Sequence, residues 1–263
     1  MSPIDRINDM LRLASSKGRL FPATVFYNEG WLLRLIVDWF SRNQCTGHPL
    51  NFNHDARWFS EALLPSQFFA RHRGDNLAEG WTHADGVIGH VLIGEASLAD
   101  TKIASDATQF IVTEAKMFSP LSPRVSNAAY FDQAARNVAC FAEVLFRAKR
   151  EPANLSSLGF FVLAPDEQIS RRFFVREMTK TSIREKVAHR VSEYSLPERE
   201  AKEQWLQEWF LPTLEHIQVD VIGWEQIIDA VRIKDAAFGT DLAEFYKDCL
   251  RFNQVQEREA EGQ

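Results

Sequence analysis

The sequence predicts an α/β protein. Three short apolar runs, at residues 86–94, 108–113 and 158–164, are rich in β-branched or aromatic side chains and bounded by glycine, threonine or proline, as strands are. Apolar residues recur at helical spacing before the first run and between the second and third, and the final third of the chain reads as mostly helical. With 263 residues, 45% hydrophobic and 12% aromatic, the chain can bury a large core, and no linker or repeat divides it. One domain over residues 1–263 is the expectation.

In chain order, IDRINDMLRLA (4–14) predicts a short amphipathic helix ended by Ser-Ser-Lys-Gly. Asn28, a good capping residue, opens a second helix through Phe40 whose apolar residues cover most of its circumference, so it is expected to be buried. Residues 44–56 predict a loop, DARWFSEALL (55–64) one or two helical turns, and RHRGDN (71–76) a turn. Strands at 86–94 and 108–113 are joined by the polar connection EASLADTKIASD (95–106). The prolines of SPLSPR (119–124) predict a loop. The set Ala128, Phe131, Ala135, Val138, Ala139, Ala142, Leu145 and Phe146 then predicts a long amphipathic helix. Pro165 stops the strand at 158–164, and a basic helical segment follows over 169–190. Ser195-Leu196-Pro197-Glu198 has the form of a capping box, Val219–Gly223 that of a last short strand, and two helices finish the chain.

Several classes of function find no support. No stretch approaches the roughly 18 apolar residues of a membrane span. The start, MSPIDRINDM, lacks the charged-then-apolar plan of a secretion signal, so a soluble cytoplasmic protein without a membrane partner is expected. Cys45, Cys140 and Cys249 are scattered, with no Cys-x-x-Cys pair, which argues against disulfides and zinc fingers. There is no Gly-x-Ser-x-Gly elbow, no phosphate loop and no dinucleotide fingerprint.

Two copies of Glu-Ala-Lys remain. A Glu-x-Lys is expected roughly once by chance in such a chain, so the tripeptide alone carries nothing. Glu200-Ala201-Lys202 sits in a strongly charged helix and calls for solvation only. Glu114-Ala115-Lys116 instead ends the apolar run FIVTEAK. Alternation along a strand puts Glu114 and Lys116 on one face and Ala115 on the other. Asp85, in HADGVIG, begins the preceding extended run. If the two runs pair, Asp85 and Glu114 converge as an oxygen-rich site suited to magnesium, with an ammonium beside it to hold water or offset phosphate charge.

These residues resemble the PD-(D/E)xK phosphodiesterase superfamily, the restriction-endonuclease-like nucleases. The matching pieces are Asp85 in HADGVIG and Glu114 and Lys116 in FIVTEAK, with Ala84 where the family has proline. The resemblance implies a restriction-endonuclease-like core over about residues 25–165: a small mixed β-sheet flanked by α-helices, with helical C-terminal additions over 166–263. It implies a Mg2+-dependent nuclease, with Mn2+ as a substitute, cutting nucleic acid and more specifically DNA. Asp85 and Glu114 would bind the metal with the carbonyl of Ala115, and Lys116 would position the water. Glu29, in YNEGWLLRLI, would add an acidic group from an early helix, and Gln133, in YFDQAARN, a helical glutamine after the motif.

Other readings stay open. Glu29 also suits the positive end of its helix, Asp85-Gly86 is a turn pair, and Gln133 and Asn137 face either water or the site. His83 and His90 lack the further ligands of a zinc site. The net charge of −6 argues mildly against phosphate binding, but residues 171–190 carry seven Lys or Arg against two Glu, a local +5. There Arg172, Arg176, Lys180 and Arg184 stand four apart, either a solvated face or a ridge contacting a nucleic-acid backbone. The acidic balance also suits a nuclease-like module that binds nucleic acid or a partner protein without cutting. A third class is an unrelated α/β protein in which Glu-Ala-Lys is a surface ion pair.

Overall fold

Strand pairing organises the molecule. The computed structural model describes residues 6, 9–13, 21–94, 100–121 and 128–260, of which 255–260 are described by backbone alone. A five-stranded sheet takes the order β1 (Arg57–Leu64), β2 (Thr82–Gly89), β5 (Gln109–Ala115), β6 (Ser157–Ala164), β7 (Gln218–Gly223). The first three are antiparallel neighbours, while β5, β6 and β7 run parallel. Parallel neighbours need long crossovers, and helices supply them here. The helices are α1 (Glu29–Arg42), α2 (Gln133–Ala148), α3 (Asp166–Ser170), α4 (Lys180–Ser192), α5 (Glu198–Trp205), α6 (Leu211–His216), α7 (Trp224–Lys234) and α8 (Ala236–Ala260).

The helices sandwich the sheet. On one face Leu32, Leu33, Ile36 and Phe40 of α1 pack with Trp224 and Ile227 of α7 and Leu242 of α8 against Ile88, Ile111 and Ala115. On the other, Ala135, Val138 and Phe141 of α2 meet Val87, Phe110 and Val112, with Ile183 and Val187 of α4 behind them. All seven residues of β5 are buried, as a central strand covered on both faces requires. Each large apolar side chain sequestered this way contributes about 1.5–3 kcal/mol.

Most expected elements are present, with shifted bounds. Asn28 caps α1 by accepting the Trp31 N–H at 3.0 Å. Asp132 does the same for Ala135 at 3.0 Å, so α2 begins five residues after Ala128. The helix expected over 4–14 lies largely outside the described residues, of which 9–13 are helical; SPLSPR is described only to Leu121. The three cysteines are free and buried.

Four expectations are corrected. DARWFSEALL is strand β1: its helical composition yields to pairing with β2. The run at 86–94 breaks at Gly89, and its end, β3 (Val91–Ile93), pairs as a separate ribbon with β4 (Thr101–Ile103), a strand within the polar connection. The Ser195 side chain caps nothing; its carbonyl accepts the Arg199 N–H at 3.0 Å, and α5 starts after Pro197. Lys202, of the second Glu-Ala-Lys, is buried, donating to the Gln67 carbonyl at 2.7 Å and lying over the rings of Phe68 and Tyr194. The strand expected at 219–223 is present. β7 completes the sheet, and the Trp224 indole N–H donates to the Lys116 carbonyl at 2.9 Å, tying the last third to the motif strand.

Gly89 has φ +144°, and a Cβ there would stand 2.2 Å from the Gln109 carbonyl oxygen. Gly89→Ala is therefore expected to destabilise the protein by at least about 2 kcal/mol in urea unfolding, since the obstacle is backbone and cannot swing away.

Candidate active site

Glu114 and Lys116 close the central strand β5 on the face covered by α2, and the intervening Ala115 packs on the α1 side. The Lys116 Nζ donates to Glu114 Oε1 at 2.7 Å, and both side chains are almost entirely removed from water, at 1% and 5% residue exposure. This is not a surface ion pair. A buried pair is tolerable only when its remaining lone pairs are satisfied, and α2 does so: Gln133 Nε2 donates to Glu114 Oε1 at 2.7 Å and Asn137 Nδ2 to Oε2 at 3.4 Å. Gln133 and Asn137 therefore face the site and not water.

Asp85 joins the pair from the neighbouring strand. The antiparallel register couples Gly86 to Thr113, which sets Asp85 opposite Glu114. Asp85 Oδ2 accepts the Ala115 N–H at 2.7 Å, a side chain standing in for a ladder carbonyl. Burial, then the nearby Glu114 carboxylate, pushes the Asp85 carboxyl up to about 7, against the opposing pull of the Ala115 N–H and Lys116.

Local backbone geometry explains why Asp85 can reach inward. Ala84 belongs with the apolar cluster under α2, yet Gly86, two residues on, faces Leu33 of α1. On β1, Ala62 lies under α2 while Ser60 accepts from Arg34 of α1 at 2.9 Å. Both strands thus lose their two-residue alternation at one level, where Glu61 and Asp85 are the pair left out of the register between Ser60↔Gly86 and Ala62↔Ala84. Glu61 absorbs the slip with φ +58° and pairs with Arg34 at 3.0 Å. Its carboxylate also pushes the Asp85 carboxyl upward. Nothing in RWFSEALL marks Glu61, because a left-handed glutamate inside a strand has no sequence signal.

The other expected site residues lie apart. Glu29 starts α1 on the opposite face of the sheet, where burial first and the Glu29 carboxylate second push up the Cys249 thiol of α8, and it makes no hydrogen bond or ion pair to the cluster among the described residues. Arg172, Arg176, Lys180 and Arg184 do not share a helix: Arg172 is left-handed at φ +61°, a run of turns follows, and α4 begins only at Lys180. Lys180 donates to the Glu215 carbonyl at 2.8 Å, and with Arg184 it lines a separate cleft. The helical spacing from which a ridge was expected therefore holds only for Lys180 and Arg184. His90 bonds the His54 carbonyl at 2.9 Å and His83 is exposed, and no group of three or more His, Cys, Asp or Glu converges among the described residues.

A cleft of about 420 Å3 lined by His48, Asn51, Ser156 and His216 lies at the start of β6, the end of the sheet away from the cluster. The cluster sits instead at the carboxyl ends of the parallel strands, where open α/β sheets bind ligands. No protein-family model, curated protein or solved structure matches this chain.

Asp85 favours its protonated form up to about pH 7, so the folded state holds a proton there that the unfolded chain releases near 4. Its contribution to stability is accordingly lost as pH rises between those values. Asp85→Asn is expected to raise the melting temperature at pH 8.5 in chelator and to raise it by less than half as much at pH 5, as scanning calorimetry at the two pH values would check.

Proposed function

We propose that the chain is a metal-dependent phosphodiester hydrolase acting on nucleic acid, with DNA as the substrate class. The observation that carries this is the juxtaposition of Asp85 opposite Glu114 on paired strands, with the Lys116 ammonium 2.7 Å from Glu114 Oε1. The α/β architecture, a mixed sheet flanked by helices with the acids on its second and third strands, supports a restriction-endonuclease-like core.

The donor set suits a hard cation. Asp85 and Glu114 would hold Mg2+ or Mn2+, with the Ala115 carbonyl as a third oxygen, and among the described residues no cysteine or histidine bonds to either carboxylate. When bound, the ion supplies charge neutralisation and a more acidic water. The protein's own groups do the rest. Lys116, held by Glu114, orients water beside the scissile phosphate and offsets its charge. Gln133 and Asn137 fix the rotamer of Glu114 through its two oxygens. Trp224 anchors the Lys116 backbone from the far side of the sheet. Asp85 must be ionised to hold a cation, so activity follows its deprotonation.

One observation favours a second reading, a module that binds without cutting: Oε1 of Glu114 is engaged by both Lys116 and Gln133, so a cation competes with two donors for it. Hydrolysis of plasmid and single-stranded DNA separates the two. With Mg2+ or Mn2+, wild type is expected to cleave while Lys116→Ala and Asp85→Ala lose about 100-fold or more. Equal rates in all three preparations would sink the hydrolase. At subsaturating Mg2+, where metal and proton compete for Asp85, the wild-type rate is further expected to climb up to tenfold per pH unit below about 7 and level off above it, with saturating Mg2+ moving the bend to lower pH.

A further inference from the structure

Four cations are buried among the described residues: Lys116, Arg136, Arg190 and Lys202. Three are anchored. Lys116 pairs with Glu114, Lys202 donates to the Gln67 carbonyl at 2.7 Å, and Arg190 reaches Glu79 at 3.3 Å, Glu193 at 2.7 Å and the Leu77 carbonyl at 2.6 Å. Arg136 is the exception. Only 8% exposed, it makes no ion pair among the described residues. Of its five N–H donors, one makes a hydrogen bond there, a 3.4 Å contact from Nη2 to Thr82 Oγ1, while the buried Nε has no partner. Glu79, a carboxylate on which Arg136 acts electrostatically, already spends one oxygen on Arg190 and the other on Ser66 at 3.3 Å. A guanidinium withdrawn from water without an anion is costly, and a planar fork with free donors matches a phosphate.

Its place in the fold points the same way. Arg136 follows Gln133 by three residues on α2, so both belong to the stripe that faces the sheet. Thr82 lies on β2, three residues before Asp85. Thr82 meets Arg136 and Cys140 of α2, so it lies on the side of the sheet to which Glu114 and Lys116 also turn. Gln133 donates to Glu114, the partner of Lys116, so Arg136 stands about one helical turn from the residue that reaches the buried pair.

We propose that Arg136 is an anion-binding residue of this site, holding a phosphate oxygen of the substrate beside Lys116. The assignment of that phosphate to a substrate rests on the hydrolase reading; the anion site itself does not.

The test begins with inorganic phosphate and the full chain in EDTA, followed by calorimetric titration and melting. Wild type is expected to bind phosphate and melt higher with it. Arg136→Met is expected to lose at least tenfold in affinity, and Arg136→Lys, which keeps the charge but not the fork, to lose less. Should Arg136→Met fold poorly, the lysine variant carries the comparison. Unchanged phosphate affinity in both variants, or no binding by wild type, overturns the proposal, because a purely structural arginine would alter stability and not the response to phosphate. In the cleavage assay with Mg2+, Arg136→Lys is expected to raise KM more than it lowers kcat. Arg136-dependent phosphate binding without cleavage by wild type would sustain the anion site and refute the hydrolase. Cleavage by wild type with kinetics unmoved in both variants would refute Arg136 and leave the hydrolase standing.

Discussion

A carboxylate and an ammonium held 2.7 Å apart and almost out of water set the terms for this end of the sheet. Burying either charge alone costs several kcal/mol, and burying both is tolerable only if every remaining lone pair finds a donor. The surroundings are built to that requirement. Gln133 and Asn137 enter from α2, whose start is set by the Asp132 cap, and Lys186 of α4 in turn pairs with Asp132. The far side of the sheet contributes Trp224, bonded to the Lys116 carbonyl. Elements from the middle and the last third of the chain are thus committed to one dipeptide step on β5.

The second constraint is the slip of alternation shared by β1 and β2. A regular strand would send Ala84 and Gly86 to the same helix layer. The left-handed Glu61 lets both strands change phase together, which keeps their pairing on either side and leaves Asp85 free to bond across to Ala115. Strained backbone of this kind costs of order 1–3 kcal/mol and persists where the surrounding structure holds it. Here it sits opposite the group whose acidity is most altered in the cluster. The cost and the altered carboxyl fall on one cross-strand pair, as expected when a site is assembled at the expense of local stability.

Much of the site was legible because strand periodicity is a short-range property. FIVTEAK ends an apolar run, so alternation alone puts Glu114 and Lys116 on one face, and the observed contact follows. Asp85 was legible as the start of the preceding run, although only the register shows which residue it opposes. Gln133 and Asn137 share a helix face by spacing, but the layer that face meets depends on where α2 lies over the sheet. Glu29 illustrates the converse: a carboxylate in the right order along the chain, carried by a helix on the other face. The basic series from Arg172 to Arg184 has helical spacing without a helix beneath it, since spacing cannot reveal the left-handed turn at Arg172.

By itself the sequence determined the α/β class, the three central strands, the helix capped by Asn28 and the long amphipathic helix after SPLSPR, all consequences of local side-chain chemistry and near-neighbour periodicity. Tertiary structure alone decided that RWFSEALL is a strand, that the last third completes the sheet, and that Lys202 is buried while its solvated-looking tripeptide resembles the one at 114–116. It also decided the isolation of Arg136. These outcomes depend on which distant groups share a low-dielectric interior, and no window of neighbouring residues contains that information.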